Sequence, residues 1–479
     1  MRSAGPRRRR LLSPRSHRNR HGPARSRVNP YRGFDADGVR RYFRGVTSYQ
    51  CQPAILPLDA TVSLPGSKSH TNRALIAAGL ADGTSLLTGI LPAEDTELMI
   101  EALRALGISV EVDAENCVAE VTGCGGHLPV DEAALNCGNA GTVMRFCTAL
   151  AALGSGVYEL DGTPRMRQRP IGDLAGVLQS LGTGVEYLAS EGFPPLRVHG
   201  SGLSGGYVAF HAPPSSQLVS ALLLVAPYAA GDVFIDVDGP RPSRPYLKMT
   251  TRVMEQFGVA VVEQYGEKID KFIVEASQRY GAATLPIEPD ASNATYFLAA
   301  PAIAGGRVTV KGLGTDSIQG DVRFVDVLER MGCRVERGPA RLIVVGPTGG
   351  ERLRGVTVDL NDMPDTVQTL AVVALFADGA TEISNVENLR IKETDRLSAL
   401  TRELTKLGAT VEESPAGLRI RPPKEIRPAA IDTYNDHRMA MSFALVGLKI
   451  PGVTINDPEC CAKTFPDFFG RFEGLSRVR

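Results

Sequence analysis

Two short patterns recur along this chain at a nearly constant interval, and they restrict the folds open to it. In the first, an amphipathic helical segment ends at a glycine and a valine-rich strand follows. The glycines of its five copies are almost evenly spaced, and they are Gly107, Gly182, Gly258, Gly332 and Gly408. A glycine at a helix C-terminus tolerates the positive φ that ends the helix, so each copy predicts a helix–strand boundary.

The second pattern is an alanine-rich helix, a glycine turn and a β-branched strand. It occurs six times with the same near-constant spacing, and its marker glycines are Gly83, Gly156, Gly231, Gly306, Gly379 and Gly452. The interval between neighbouring markers is longer than an ordinary solenoid repeat. Six modules of helices and strands therefore predict an α/β protein with a few globular lobes, each built from several copies.

Charge is unevenly distributed along the chain. Residues 1–46 hold 14 arginines and two acidic residues, whereas the other 433 residues carry 39 basic and 51 acidic groups. This N-terminal part shows no apolar periodicity, so we predict a disordered, Arg-rich tail over residues 1–50. A start codon placed too far upstream, an organelle transit peptide, a nucleic-acid-binding arm and a solvated tail without function all remain open for it.

The segment 64–80 predicts an anion-binding helix start. Pro65 and Gly66 end the preceding strand-like run, and a helical pattern begins a few residues later. Free backbone N–H groups, the helix dipole, the Ser69 hydroxyl and the Lys68 and Arg73 side chains favour a bound anion there. Spacing alone does not separate this interpretation from a solvated helix start.

Polar clusters occur at the same place in the other modules, the N-terminal end of a helix. If the modules stack with these ends facing each other, seven cations converge: Lys68, Arg73, Arg169, Lys392, Arg396, Arg438 and Lys463. Such a cluster suits highly charged anions such as phosphorylated carboxylates. Asp365 and Glu393 are then the carboxylates available as an acid/base pair.

Other chemistry has little support in the sequence. The eight cysteines include no Cys-x-x-Cys pair and there are only seven histidines, so we predict no metal site and no cofactor. No apolar run reaches the roughly 18 residues of a membrane helix. A reduced, intracellular protein is the expectation.

Six motifs occur in the order that is typical of one known family. They are Leu-Pro-Gly-Ser-Lys-Ser with Arg73, Asn-Ala-Gly-Thr with Met-Arg, Pro-Arg-Met with Arg169, Ser-Ser-Gln, Lys-Glu-Thr-Asp-Arg and Asn-Asp-His-Arg-Met-Ala-Met. Together they resemble the 5-enolpyruvylshikimate-3-phosphate (EPSP) synthases, the 3-phosphoshikimate 1-carboxyvinyltransferases. The resemblance runs from about residue 54 to residue 469.

The resemblance implies a two-lobed enolpyruvyl transferase fold, an inside-out α/β barrel with six βαβαββ repeats, three per lobe. Lobe one is expected to comprise residues 51–67 and 289–479, and lobe two residues 68–288. Two crossovers near residues 65–68 and 287–290 are expected to join the lobes, which close on substrate.

The resemblance also implies two substrates. Shikimate 3-phosphate is expected at Lys68, Ser69, Arg73, Ser215, Ser216, Gln217, Ser243, Asp365, Asn388 and Lys392. Phosphoenolpyruvate is expected at Lys68, Gly141, Arg169, Gln217, Arg396, Arg438 and Lys463. The implied catalytic residues are Asp365 as base for the 5-hydroxyl, Glu393 as acid for the methylene carbon, and Lys68, which shares in proton transfer. A cytoplasmic monomer without nucleic-acid or membrane partners is expected.

One residue departs from the family pattern. Phe146 stands where many relatives have proline, one helical turn from Gly141. The bulkier ring is expected to shift the phosphoenolpyruvate pocket, whereas the retained Gly141 predicts that glyphosate competes with phosphoenolpyruvate.

Two rival interpretations are weaker. UDP-N-acetylglucosamine enolpyruvyl transferases have asparagine after the motif lysine and a reactive loop cysteine, whereas Ser69 follows Lys68 here. A non-catalytic nucleic-acid-binding protein would depend on the tail and bind in a salt-dependent way.

Overall fold

A computed structural model describes residues 47–240, 243–349 and 351–477. Its strands are β1 (Ser48–Gln50), β2 (Leu58–Val62), β3 (Thr84–Thr88), β4 (Ser109–Asp113), β5 (Val118–Thr122), β6 (Glu132–Asn136), β7 (Val157–Asp161), β8 (Gly184–Tyr187), β9 (Leu196–His199), β10 (Gly206–His211), β11 (Val233–Asp238), β12 (Val262–Tyr265), β13 (Ile269–Val274), β14 (Thr284–Pro286), β15 (Gly306–Lys311), β16 (Arg334–Gly338), β17 (Arg341–Val345), β18 (Leu353–Arg354), β19 (Thr357–Asp359), β20 (Ala377–Asp378), β21 (Thr381–Ser384), β22 (Thr410–Ser414), β23 (Gly417–Arg421), β24 (Ala430–Ile431) and β25 (Thr454–Asn456).

The α-helices are α1 (Lys68–Leu80), α2 (Glu94–Ala105), α3 (Gly141–Ala152), α4 (Gly172–Ser180), α5 (Ser216–Val225), α6 (Arg244–Gln256), α7 (Ala291–Ala304), α8 (Phe324–Arg330), α9 (Val367–Val373), α10 (Arg396–Lys406), α11 (His437–Gly447) and α12 (Phe468–Arg477). Short 3-10 helices are Met166–Gln168, Ala226–Tyr228, Gly320–Arg323, Pro364–Thr366, Ala374–Phe376, Glu387–Ile391 and Pro458–Lys463.

The repeating unit is visible in the run β6-α3-β7-α4-β8-β9. Its sheet has the order β6-β7-β9-β8, in which β6 and β7 are parallel and the other two pairings are antiparallel. Four further sheets have the same plan: β10-β11-β13-β12, β19-β21-β23-β22, β14-β3-β5-β4 and β2-β15-β17-β16. The predicted βαβαββ repeat is therefore present in the fold.

Two units exchange their first strands. Strand β2 pairs with β15 although α1 follows it in the chain, and β14 pairs with β3 although α7 follows it. Between strand and helix the two segments run side by side, with Ser67 N donating to Glu288 O at 2.8 Å and Asp290 N donating to Pro65 O at 2.9 Å. The chain thus crosses twice between the two lobes near residues 65–68 and 287–290.

One carboxylate holds both helix starts at this crossover. Asp290 accepts from Asn293 N at 2.8 Å as the N-cap of α7, and from Lys68 N at 3.1 Å at the start of α1. A capping side chain satisfies backbone donors that have no partner within the helix. The position of Lys68 is therefore tied to both helices.

Each lobe has three buried helices at its centre: α1, α3 and α5 in one, and α7, α9 and α11 in the other. All residues of α3 and α7 are buried, as expected for helices surrounded by other elements. The strands cover them with alternating buried and exposed residues, for example in β3 and β7. Helices inside and sheets outside form the inside-out α/β barrel that the resemblance implies.

The sixth unit corrects one prediction. It contributes only β24, α11 and β25, and β1 from the start of the described chain pairs antiparallel with β25 to complete its sheet. The prediction of disorder is therefore wrong for residues 48–50, while residues 1–46 lie outside the described residues. Three residues are too few for a periodic pattern, so this strand had no signal in the sequence.

The recurring glycines behave as predicted. Gly107, Gly182, Gly258, Gly332 and Gly408 have φ between 82° and 112°, and each follows a helix end.

Within the described residues, no helix is long and apolar enough to span a bilayer. The exact boundaries of the lobes stay a prediction.

Candidate active site

A cleft lies where the helix N-termini of the two lobes meet. It is lined by Lys68, Ser69, Arg73, Asp95, Gly141, Thr142, Arg169, Ser215, Ser216, Gln217, Ser243, Tyr246, Asp365, Asn388, Lys392 and Glu393. Thirteen of these are residues predicted from the sequence. The other three predicted residues, Arg396, Arg438 and Lys463, contact carboxylates of the cleft wall.

The guanidinium of Arg73 is fixed from several sides. It donates to Thr250 Oγ1 at 2.8 Å and to Ser69 O at 2.9 Å, and its side chain is buried. The rings of Phe146 and Tyr246 lie 5.3 and 5.9 Å from its carbon Cζ. Burial lowers the pKa of Arg73 to about 10, so the group stays cationic at neutral pH.

Asp365 lies among cations at the start of α9. Its carboxylate contacts Arg438 Nη2 at 2.9 Å, Arg396 Nη1 at 3.1 Å and Lys392 Nζ at 3.7 Å. Burial acts to raise the pKa of Asp365, but the charges of Arg438, Lys392, Arg396 and Lys68 outweigh it and hold that pKa well below its usual range. Asp365 is therefore an ionised carboxylate, the protonation state that a general base needs.

Arg396 connects three carboxylates. Its guanidinium contacts Asp436 at 2.7 Å, Glu393 at 2.9 Å and Asp365 at 3.1 Å, and its side chain is 1% exposed. Glu393 follows the same rule as Asp365: burial acts to raise its pKa, and nearby cations, Arg396 first, lower it well below the usual range. In the free site Glu393 is thus ionised, so an acid role requires its pKa to rise when substrate binds.

Arg169 and Gly141 face each other on the wall of lobe two. Arg169 Nη1 donates to Asn139 O at 2.9 Å, which places the guanidinium beside the start of α3. A Cβ on Gly141 would lie 2.5 Å from Arg169 Nη2 and 2.9 Å from Gln217 Oε1. Only glycine leaves this space between the two side chains open.

Polar uncharged groups line the other side of the cleft. Ser215 caps α5 by accepting from Gln217 N at 3.3 Å, and Ser243 Oγ donates across to Asn361 O at 2.9 Å. Asn388 Oδ1 is buried and has no hydrogen-bond partner among the described residues. Buried polar atoms are normally paired, so this oxygen is a candidate ligand contact.

Three lining residues were missed by the sequence analysis: Asp95, Thr142 and Tyr246. Thr142 belongs to the Asn-Ala-Gly-Thr motif at the start of α3, and Tyr246 lies three residues after the predicted Ser243 at the start of α6, so proximity to predicted residues was the available signal. Asp95 had none, because Glu94-Asp95-Thr96 reads as the acidic first turn of an amphipathic helix. In the described part of the chain, no group of three or more His, Cys, Asp or Glu side chains is arranged to hold a metal ion.

Solved structures with the same architecture define the class. EPSP synthase from Acinetobacter baumannii superposes with a TM-score of 0.73 at 26% identity, covering 90% of this chain and 98% of that one. The enolpyruvyl transferase NikO from Streptomyces tendae gives a TM-score of 0.67 at 18% identity, covering 89% of this chain and 96% of that one. The fold is the two-lobed enolpyruvyl transferase fold.

Sequence relatives define the family. The family model for EPSP synthase (3-phosphoshikimate 1-carboxyvinyltransferase) matches residues 53–472. A 3-phosphoshikimate 1-carboxyvinyltransferase from Trichormus variabilis is 49% identical over 416 residues, covering 87% of this chain and 96% of that protein. One from Shewanella pealeana is 47% identical over 424 residues, covering 88% and 98%. The chain belongs to the EPSP synthase family.

Proposed function

We propose that the cleft carries out the reaction of this family with the residues assigned below. The reaction transfers the enolpyruvyl group of phosphoenolpyruvate to the 5-hydroxyl of shikimate 3-phosphate, giving EPSP and phosphate. The observation that carries the assignment is one cleft, shared by both lobes, in which an ionised carboxylate lies among buried cations. Two phosphorylated carboxylates match that charge.

Shikimate 3-phosphate is assigned to the side of the cleft rich in hydroxyl groups. Arg73, which lies near two aromatic rings, and Lys392 supply the positive charge, and the serines supply donors for phosphate and hydroxyl groups. The full set is Lys68, Ser69, Arg73, Ser215, Ser216, Gln217, Ser243, Asp365, Asn388 and Lys392.

Phosphoenolpyruvate is assigned to the neighbouring space beside Gly141. A small, compact anion suits a site where even a methyl group on Gly141 would meet the Arg169 guanidinium. Helix N-termini add donors and a favourable dipole for it. The full set is Lys68, Gly141, Arg169, Gln217, Arg396, Arg438 and Lys463.

The proposed chemistry is an addition followed by an elimination. Asp365 takes the proton of the 5-hydroxyl as its oxygen bonds to C2 of phosphoenolpyruvate, and Glu393 gives a proton to the methylene carbon. In the second step Glu393 takes a proton back from that methyl group, the double bond re-forms and phosphate leaves with the proton that Asp365 had taken, which restores both carboxylates to their starting states. Lys68 and the arginines stabilise the charge of the tetrahedral intermediate.

Substrate binding prepares both carboxylates for these roles. Cations hold the pKa values of Asp365 and Glu393 well below the usual range in the free site. Bound phosphate and carboxylate groups neutralise those cations, which raises both pKa values toward the range useful for proton transfer. Substrate binding thus allows Glu393 to take up a proton as the acid and makes the already ionised Asp365 a stronger base.

The test is phosphate release by the purified full chain given both substrates. We expect release to require both, and to fall by about 10²–10⁴-fold in Asp365→Asn, the range typical of a general base. Asp362→Asn is the matched control, since this nearby acid pairs with Arg323 and does not line the cleft. Equal activity of the two variants would refute the role of Asp365, and an inactive, folded wild type would refute the function.

Three finer proposals accompany this function. Glyphosate competes with phosphoenolpyruvate, because the space beside Gly141 is open. Inhibition that does not diminish at high phosphoenolpyruvate would contradict this proposal.

The protein acts as a monomer, since one chain supplies the whole cleft, and light scattering after gel filtration tests this. It is cytoplasmic, as its eight free cysteines suit a reducing compartment, and cell fractionation tests that.

A further inference from the structure

Asp95 is a buried acid in a cleft assigned to anions. It lies in the first turn of α2, is 1% exposed and lines the cleft beside Gly141, Arg169 and Glu393. A carboxylate in this place repels an anionic substrate, so direct substrate binding does not explain it. Its own partners suggest another role.

Both partners of Asp95 are lysines assigned to phosphoenolpyruvate. Its Oδ2 lies 3.1 Å from Lys68 Nζ, and its Oδ1 accepts from Lys463 Nζ at 2.5 Å. Lys463 Nζ also donates to Asn139 O at 3.0 Å, the carbonyl that accepts from Arg169. These contacts use two of the three ammonium donors of Lys463 and fix the direction of the third.

The Asp95–Lys463 contact also joins the lobes. Asp95 lies on α2 of lobe two, whereas Lys463 ends the 3-10 helix Pro458–Lys463 after β25 of lobe one. Lys68 lies at the crossover between them. The carboxylate therefore sets the positions of two cations that come from separate parts of the fold.

We propose that Asp95 is a positioning residue for phosphoenolpyruvate: it holds the ammonium groups of Lys68 and Lys463 in the cleft and thereby couples the approach of the lobes to assembly of that site. The inference rests on the proposed function, since it concerns the binding of one of its two substrates. Asp95 acts on phosphoenolpyruvate through the two lysines.

The test is steady-state kinetics of Asp95→Asn in the full chain, with wild type assayed in parallel. The amide keeps the shape and an acceptor oxygen but removes the charge, so both ammonium groups lose their ion pair. We expect KM for phosphoenolpyruvate to rise about tenfold or more, as for loss of a buried charged partner, and KM for shikimate 3-phosphate to change less than about twofold. Asp270→Asn, which removes a buried partner of Arg244 outside the cleft lining, is expected to leave both constants unchanged.

If Asp95 served only to reduce the positive charge of the cleft, its substitution would change KM for phosphoenolpyruvate in the opposite direction. If Asp95 only diluted positive charge, its neutralisation would strengthen anion binding and lower KM for phosphoenolpyruvate. A lowered or unchanged KM therefore overturns the proposal, and so does an equal rise of both KM values. Inactive wild type would refute the proposed function instead, which separates the two failures.

A second variant covers the case in which Asp95→Asn does not fold. Asp95→Glu keeps the charge and the lysine partners but lengthens the side chain by one methylene group. We expect it to fold and to raise KM for phosphoenolpyruvate selectively, with Lys463→Met adding less to it than to wild type because the two residues act as a pair. Full additivity of these two substitutions would overturn the proposal.

Discussion

Replacing Arg396 by leucine tests whether burial makes this ion-pair cluster essential for stability. Arg396 is 1% exposed and contacts Asp365, Glu393 and Asp436 at 3.1, 2.9 and 2.7 Å. Leucine leaves these three carboxylates, which are at most 17% exposed, without their shared cation. Removing one partner of a buried ion pair typically costs about 3–5 kcal/mol. We therefore expect the free energy of unfolding to fall by about that amount at pH 7.

The matched control is an arginine of the same lobe that is exposed to water. Arg337 contacts Asp326 at 2.7 Å and Glu329 at 2.8 Å, but its side chain is 31% exposed. Exposed pairs contribute about 0–1 kcal/mol, so Arg337→Leu should fall within that range. Urea unfolding followed by circular dichroism compares the two variants with wild type. A difference below about 1 kcal/mol between the variants would refute the argument from burial.

The effect of Arg396→Leu should also depend on pH. The pKa values of Asp365 and Glu393 are lowered in the folded protein, with Arg396 among the causes. A lowered folded pKa contributes stability that is present above the unfolded value, about 4, and is lost as pH falls through the folded value. The deficit of the variant should therefore be largest above about pH 5 and shrink below about pH 4. A deficit that grows on acidification would show that the carboxylates are not its source.

Three further predictions concern the cleft. Gly141→Ala should fold normally, because its Cβ meets the ends of flexible side chains, but should raise KM for phosphoenolpyruvate and weaken glyphosate inhibition; unchanged constants would contradict the assigned pocket. Phe146→Leu removes the ring 5.3 Å from Arg73 and should raise KM for shikimate 3-phosphate severalfold, as expected for losing about 1 kcal/mol of cation–π attraction; an effect on phosphoenolpyruvate alone would contradict it. A carbon-13 titration should find Asp365 ionised throughout the range from about pH 5 to 8 in the free protein, with a higher pKa once shikimate 3-phosphate neutralises Lys392; protonation of the free carboxylate within that range would contradict this.

Much of the fold could be predicted because its signals are local. A helix that ends at glycine leaves its mark within a few residues, and all five predicted glycines have positive φ. Strand β1 could not be predicted in this way. It pairs with β25, near the opposite end of the described chain, through backbone hydrogen bonds that carry no side-chain pattern. A three-residue strand that pairs with a distant part of the chain has no recognisable pattern in the sequence.

The residues of the site also separate into those that the sequence could predict and those that it could not. Charge compensation within the site explains the difference. Most of its cations stand in motifs at or just before the start of a helix, where they are visible in the sequence. One of its carboxylates, Asp95, carried no such signal: it pairs with Lys68 and Lys463 from the acidic first turn of α2. Asp436, which pairs with Arg396, lies inside the motif Asn-Asp-His-Arg and was visible there. A compensating charge needs only to be near, from any part of the chain, and so has no fixed spacing. The seven predicted cations outnumber the four carboxylates that form ion pairs with them, so positive charge remains for substrate anions. Each anion that binds neutralises part of this positive charge, which raises the pKa values of Asp365 and Glu393. The cations that bind substrate therefore also make both carboxylates poor in proton transfer until both substrates are present.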